Sequence, residues 1–221
     1  MELLLKTLTA FLLGVVLTGA LLFVPAGTLI YSGAWLFVAL LFVPIFIVGV
    51  VLWVKNPDLL AKRLAMKERE QEQRGIVALS GVMLVASFVL AGVDFRFGWS
   101  RVPLSVVALG SVVLLVAYGL YAEVLRENAY LSRVVEVQAG QKVVDTGLYG
   151  IVRHPMYAAV SLLYLSIPLV LGSWWALLPM AFCVVLLVLR CLHEERLLCR
   201  ELEEYEAYIR KVRYRMVPLI F

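Results

Sequence analysis

The chain has 221 residues, 63% of them hydrophobic and only 16% charged, with a net charge of +4. A soluble domain is nearer half apolar and a quarter charged, so the composition argues against a water-soluble globular enzyme. It also argues against a nucleic-acid binder, because the Lys and Arg residues lie between long apolar runs, where they set membrane orientation and meet anionic lipid.

Apolar runs of about 20 residues span the ~30 Å hydrocarbon core, and in lipid they must be helical to satisfy their own backbone. Spans are expected near 8–24, 34–54, 76–93 and 103–125, followed by a tight pair near 156–171 and 173–190. The first run has Lys6 as its only positive flank and no clear small-x-small cleavage site, so it is read as a retained helix rather than a signal peptide. In "NPDLLAKRLAMKEREQEQR", Asn56 is a possible N-cap and Pro57 a first helical residue. Leu59, Leu60, Leu64 and Met66 give it a partial apolar stripe. That segment fits an interfacial helix or a solvated connector equally well. The late pair is joined by "LGSWW", with Gly172 ending one helix and Trp174 and Trp175 suited to a membrane interface. At ~1.5 Å per residue the first arm of the pair reaches only ~24 Å. In the tail, Leu198, Leu202, Tyr205, Ile209 and Val212 recur at helical spacing, so a helix continues out of the last span until Pro218 forbids it. The fold class is therefore an all-α polytopic membrane protein. It has about six transmembrane helices, including a tight C-terminal helical hairpin, plus a cytoplasmic C-terminal helix. Residues 1–125 form the N-terminal helices with a connector at 55–74, and residues 126–221 form a second region.

With six crossings, 18 of the 20 Lys and Arg residues collect on one side, which the positive-inside rule makes cytoplasmic, with both termini there. The three cysteines, Cys183, Cys191 and Cys199, are eight apart. That is no metal-ligand spacing, and they are read as apolar packers rather than ligands or disulfides. No metal site is expected.

The densest polar group is "TGLYGIVRHPMY", residues 146–157. Pro155 suits the first turn of the following helix and places His154 at the N-cap, with Arg153 just before it. The unpaired first-turn amides make this an electropositive place able to receive a carboxylate or phosphate, although flanking charge plus a cap explains it too. Arg190 and Glu194 are four apart and share a helix face, as a surface pair or as an inward-facing charge that needs a partner. The loop "EVQAGQKVVDTGLYG" has turn glycines at Gly140 and Gly147 around a short extended Val143-Val144. It contains neither a P-loop nor a dinucleotide fingerprint. Asp94 and Arg96 fall in an opposite loop and cannot share a site with His154.

"GQKVVDTGLYGIVRHPMY", the short hairpin, "RCLHEERLL" and "EEYEAYIRKV" with a late proline together resemble the isoprenylcysteine carboxyl methyltransferase family, to which phospholipid N-methyltransferases are related. The resemblance covers residues 126–221; the earlier part is similar only as membrane helices. It implies methyl transfer from S-adenosylmethionine, leaving S-adenosylhomocysteine, to a lipophilic acceptor at the cytoplasmic face. It implies a cofactor pocket lined by Gln141, Lys142, Val143 and Val144, closed by Tyr149, His154, Pro155, Met156 and Tyr157, with Glu194 on the cofactor's polar part. It implies Arg190 facing the acceptor and Arg153 positioning an acceptor carboxylate. A carboxylate is already ionised at neutral pH and needs a cation to hold it, whereas an amine must lose a proton. The cations Lys211, Arg213 and Arg215 and the acidic Glu203-Glu204 depart from the family pattern, so the acceptor stays open between prenylcysteine-type carboxylate and lipid headgroup. An NADPH-dependent membrane reductase and a non-catalytic lipid-binding protein are the rival readings. Membrane lipids are the expected surroundings, and the sequence leaves the oligomeric state undefined.

Overall fold

The structure is a computed structural model, and it describes residues 2–55, 71–128, 143–202 and 204–221. Seven α-helices appear among the described residues: α1 (Glu2–Ala26), α2 (Ser32–Lys55), α3 (Gln71–Phe97), α4 (Leu104–Glu127), α5 (Pro155–Leu171), α6 (Leu177–Glu201) and α7 (Tyr205–Lys211). A short 3-10 turn, Gly147–Gly150, precedes α5. Five helices, all but α5 and α7, are long and apolar enough to cross a membrane. The chain is thus an all-α polytopic membrane protein.

The six expected spans correspond to α1–α6, each observed helix overrunning its apolar run by a few residues except where Gly172 and the tryptophans delay α6 to Leu177. The tail differs from the expected single helix. α6 stops at Glu201, Leu202 is extended (φ −117°, ψ 105°), and a separate seven-residue α7 begins at Tyr205. The break lets Tyr205, Tyr208 and Val212 turn inward as one small cluster against Leu198 and Val143 instead of following the axis of α6. Of the connector expected over 55–74, Lys55 ends α2, residues 56–70 lie outside the described residues, and helix α3 already runs from Gln71.

Small residues set the helix contacts, as expected where lipid removes the hydrophobic drive for association. A Cβ on Gly92 of α3 would stand 2.5 Å from the Leu22 carbonyl oxygen of α1, and one on Gly33 of α2 would stand 3.0 Å from the Leu171 carbonyl of α5. Around these crossings lies the main core, which includes Leu22, Tyr31, Phe37, Phe88, Leu114, Val170 and Met180. Outward from it, α2 is apolar but almost wholly exposed, with only Ala34 and Phe37 buried, as suits a helix facing lipid.

The short connections at 27–31, 98–103 and 172–176 meet at one end of the bundle. Ser100 donates its backbone N–H (2.7 Å) and its hydroxyl (2.6 Å) to Asp94, the Ser173 hydroxyl donates to the same carboxylate, and Tyr31 donates to the Leu171 carbonyl at 2.6 Å. Gly172, at φ 74°, caps α5 there and permits the tight turn. The longer, polar connections all leave from the other end, and so do the tail and the R-H-P turn.

Candidate active site

At that other end, α5 begins as the sequence predicts: His154 is the N-cap and Pro155 the first helical residue. Proline loses nothing at this position because first-turn amides have no intrahelical acceptor. The His154 ring makes no cap bond. Instead the turn is zipped to the tail: Arg153 donates its N–H to the Tyr214 carbonyl (2.9 Å) and His154 to the Arg215 carbonyl (2.7 Å), beside an isolated parallel bridge between Val152 and Tyr214.

A buried ion cluster lies beneath. Glu195, 7% exposed, accepts from Arg153 Nε at 2.7 Å on one oxygen and from Arg215 Nε at 2.6 Å on the other. The Arg153 guanidinium also donates to the carbonyls of Val212 (2.8 Å) and Arg213 (2.9 Å). Arg153 is therefore turned into the interior, whereas the family resemblance implies that it positions an acceptor carboxylate. The physical reason is that a buried guanidinium must fill its donors, and the tail supplies acceptors at the right fork geometry.

His154 Nε2 shares a hydrogen bond of 3.4 Å with the Tyr205 hydroxyl and stands 3.9 Å from Glu195. Burial pushes the His154 imidazole below its ordinary value, outweighing the pull of Glu194 and Glu195, so the ring is neutral at pH 7. Burial likewise raises the phenols that wall the site, Tyr149 to about 12 and Tyr205 and Tyr208 further, so all three stay protonated and none is a ready base.

The second group is Tyr157, Glu194 and Arg190. Tyr157, 2% exposed, donates its hydroxyl to Glu194 and accepts from Arg190 Nε at 3.3 Å. The helical spacing of Arg190 and Glu194 thus brings them to the same phenol, projecting from the first turn of α5. Glu194 is only partly buried while Glu195 is buried. So the two adjacent carboxylates divide: one faces the recess and one faces the core.

Tyr149 is fixed from two sides. Its hydroxyl accepts from Asn128 (2.9 Å) and its carbonyl accepts from Tyr208 (2.7 Å). Glu127, the last residue of α4, accepts from the Leu148 N–H at 2.9 Å and packs so closely on Gly147 (φ 51°) that a Cβ there would overlap its carboxylate. Val143 and Val144 precede this turn as irregular chain, half-buried, and Val143 packs on the α7 cluster. Gln141 and Lys142 lie outside the described residues. The structure thus brings together Val143, Tyr149, His154, Pro155, Met156, Tyr157, Arg190 and Glu194 at one end of the α5–α6 pair.

Sequence reasoning gave no site role to Glu195, Tyr208, Glu127 and Asn128, and read Tyr205 only as part of the helical stripe and Arg215 only as a tail cation. For Glu195 a signal was present: Cys191, Glu195, Leu198 and Leu202 follow each other at 4, 3 and 4 residues, a better inward stripe than the one through Glu194. For Arg215, which follows α7 and precedes Pro218, nothing local predicts the return of the tail.

Residues 105–204 match the family model of phospholipid methyltransferases. This similarity supports reading the stretch as a methyltransferase region. The match runs from the start of α4 through both halves of the site, and so begins before residue 126, where the sequence resemblance begins. Arg215 and the returning tail lie beyond it. No curated protein matches the chain.

Proposed function

We propose that the protein is an integral-membrane methyltransferase that uses S-adenosylmethionine and acts on a lipophilic acceptor at the cytoplasmic face. The observation that carries this reading is the Tyr157–Glu194–Arg190 group set against the tyrosine-walled turn at Tyr149 and His154. The donor set suits such a cofactor: a carboxylate for its ammonium, aromatic walls and a neutral histidine for its nucleoside, and an arginine at the margin. When bound, S-adenosylmethionine supplies a methyl group on an electrophilic sulfonium.

Glu194 is the residue assigned to the cofactor's amino-acid end, and Tyr157 holds it in place by donating to it. Val143, Val144, Tyr149 and the segment His154–Tyr157 enclose the nucleoside; Gln141 and Lys142 are assigned beside them by the family resemblance. Arg190 faces the acceptor. Its guanidinium favours an acceptor carboxylate, which needs no base and gains a planar, charge-assisted contact. This supports carboxyl O-methylation over N-methylation. Holding donor and acceptor in line supplies much of the rate, which is why a site without a strong base suffices. Arg153 is reassigned here from the acceptor to the frame of the site.

The experiment is transfer of labelled methyl from S-adenosylmethionine into a membrane lipid extract. Label released by mild alkali as volatile methanol marks a carboxyl methyl ester; label that stays on a non-volatile headgroup marks an amine acceptor; no label refutes the reading. Calorimetry with S-adenosylhomocysteine tests the residues. Glu194→Ala should bind about 10–100-fold more weakly, the worth of one hydrogen bond to a charged group.

A further inference from the structure

The tail beyond α7 doubles back along the bundle. Met216, 4% exposed, joins a buried cluster with Tyr157, Leu187 and Cys191, and Phe221 packs against that cluster. Cys191 lies ten residues before the last residue of α6, Glu201, so at ~1.5 Å per residue the tail returns ~15 Å inward from the end of that helix. Arg190 ends the apolar run of α6, so Leu187 and Cys191 stand at the border of its membrane-crossing stretch.

The returning segment is an ordered turn. The amides of Arg215, Met216 and Val217 donate to the Phe221 carbonyl oxygen at 2.9, 2.9 and 3.0 Å, and those of Ile220 and Phe221 donate to the Val217 carbonyl at 3.2 and 3.0 Å. The Arg215 guanidinium sits over the Phe221 ring, 5.2 Å from its centre. Leu219 holds φ 68°, the only positive φ outside glycine among the described residues. The turn thrusts Leu219 (84% exposed) and Ile220 (82% exposed) outward side by side. Arg210 and Arg213 are exposed on the same short stretch of chain. Two aliphatic side chains fixed on a hydrogen-bonded turn, at the border of an apolar span and next to cations, have the chemistry of an interfacial lipid contact.

We infer that Val217–Ile220 is a membrane-seated hook: Leu219 and Ile220 enter the acyl region of the leaflet on the site's side, and Arg213 meets anionic headgroups above them. The hook belongs to the same chain segment whose Tyr214 and Arg215 carbonyls and Arg215 side chain hold the R-H-P turn. Lipid seating therefore bears directly on the geometry at His154.

The test is a nitroxide on Ile220→Cys in a Cys199→Ser background, leaving Cys183 and Cys191, both fully buried, in place. The protein is placed in vesicles of mixed phosphatidylcholine and phosphatidylglycerol. Glu206→Cys on the exposed side of α7 is the aqueous reference. The expected result is collision with oxygen outweighing a water-soluble nickel chelate at 220, and the reverse at 206. Equal nickel access at both positions overturns the inference, as does shielding of 220 from both reagents, which marks a protein partner instead. In pure phosphatidylcholine the label at 220 should become shallower, and Arg213→Gln should abolish that lipid dependence; a dependence unchanged by Arg213→Gln overturns the headgroup contact. Leu219→Asp should weaken S-adenosylhomocysteine binding several-fold in vesicles without altering thermal unfolding. This last arm alone rests on the proposed function. If wild type binds no S-adenosylhomocysteine while the label at 220 is in lipid, the function fails and the hook stands.

Discussion

The two ends of the bundle each bury a carboxylate, and they satisfy it in opposite ways. At the short-loop end Asp94, 1% exposed, is held by the Ser100 amide and by two serine hydroxyls. At the site end Glu195 is held by two guanidiniums from Arg153 and Arg215. The first arrangement joins two short turns with neutral donors and leaves a compact lock. The second joins the R-H-P turn, α6 and the tail with full charges around a buried carboxylate, where a missing partner costs far more than a hydroxyl does. The lock at the short-loop end can form as the helices pack. The site end forms only when the R-H-P turn, α6 and the tail have all arrived.

The sharpest way to break this contrast is Glu195→Ala. It leaves two arginines facing an uncompensated core and should cost about 3–5 kcal/mol. Thermal unfolding in detergent should show a large drop, with Glu194→Ala far milder; equal effects would mean that the buried cluster holds nothing together. Next comes steric fit. Gly92→Ala places a Cβ 2.5 Å from a backbone oxygen, so α1 and α3 must separate, at about 1–3 kcal/mol. Its signature is lost stability with unchanged S-adenosylhomocysteine affinity in the surviving folded protein. Asp94→Asn keeps the shape but weakens charge-assisted bonds, and should lower stability by about 1 kcal/mol. A cost matching that of Glu195→Ala would erase the distinction between the two ends.

His154 provides a smaller, pH-dependent probe. Its folded-state value is depressed, so below about 6.5 the unfolded chain takes up a proton that the folded site refuses. Stability should be flat with respect to this group above that pH and fall as pH drops through it. A thermal scan of wild type against His154→Gln isolates the slope; identical slopes would remove His154 as its source. The least effect is expected from Lys211→Ala. Lys211 lies 2.5 Å from Asp145 in an exposed pair, and its hydrogen bond holds the Asp145 carboxyl below its ordinary value. Such pairs are screened by water, so the unfolding midpoint should not move measurably.

Helix number, helix order and the R-H-P cap were legible in the sequence because each depends on local rules: run length for the spans, ring geometry for Pro155, and positive φ for Gly172. The pairing of Arg190 with Glu194 was legible for the same reason, since helical spacing alone aligns them. What stayed hidden was long-range. Arg153 looks like a flanking charge until Glu195 and the carbonyls of Val212 and Arg213 surround it. The break after Glu201 also hides, because Leu198, Leu202, Tyr205 and Ile209 keep a helical period through it. The side chains that make the stripe still face inward, but they do so from two helices rather than one.

The shortness of α5 has a consequence for the depth of the site. Its 17 residues stand beside 24 in α4 and 25 in α6, and its far end is tied level with its neighbours through Leu171 and Ser173. The whole deficit, roughly 10 Å at 1.5 Å per residue, therefore falls on one side. Only Leu162 and Leu165 of α5 are exposed, so the surrounding lipids meet the longer helices beside it, and Arg190 stands well inside the end of α6. Under the proposed function, an acceptor group carried on a lipid is met below the level of those helix ends, close to its own leaflet.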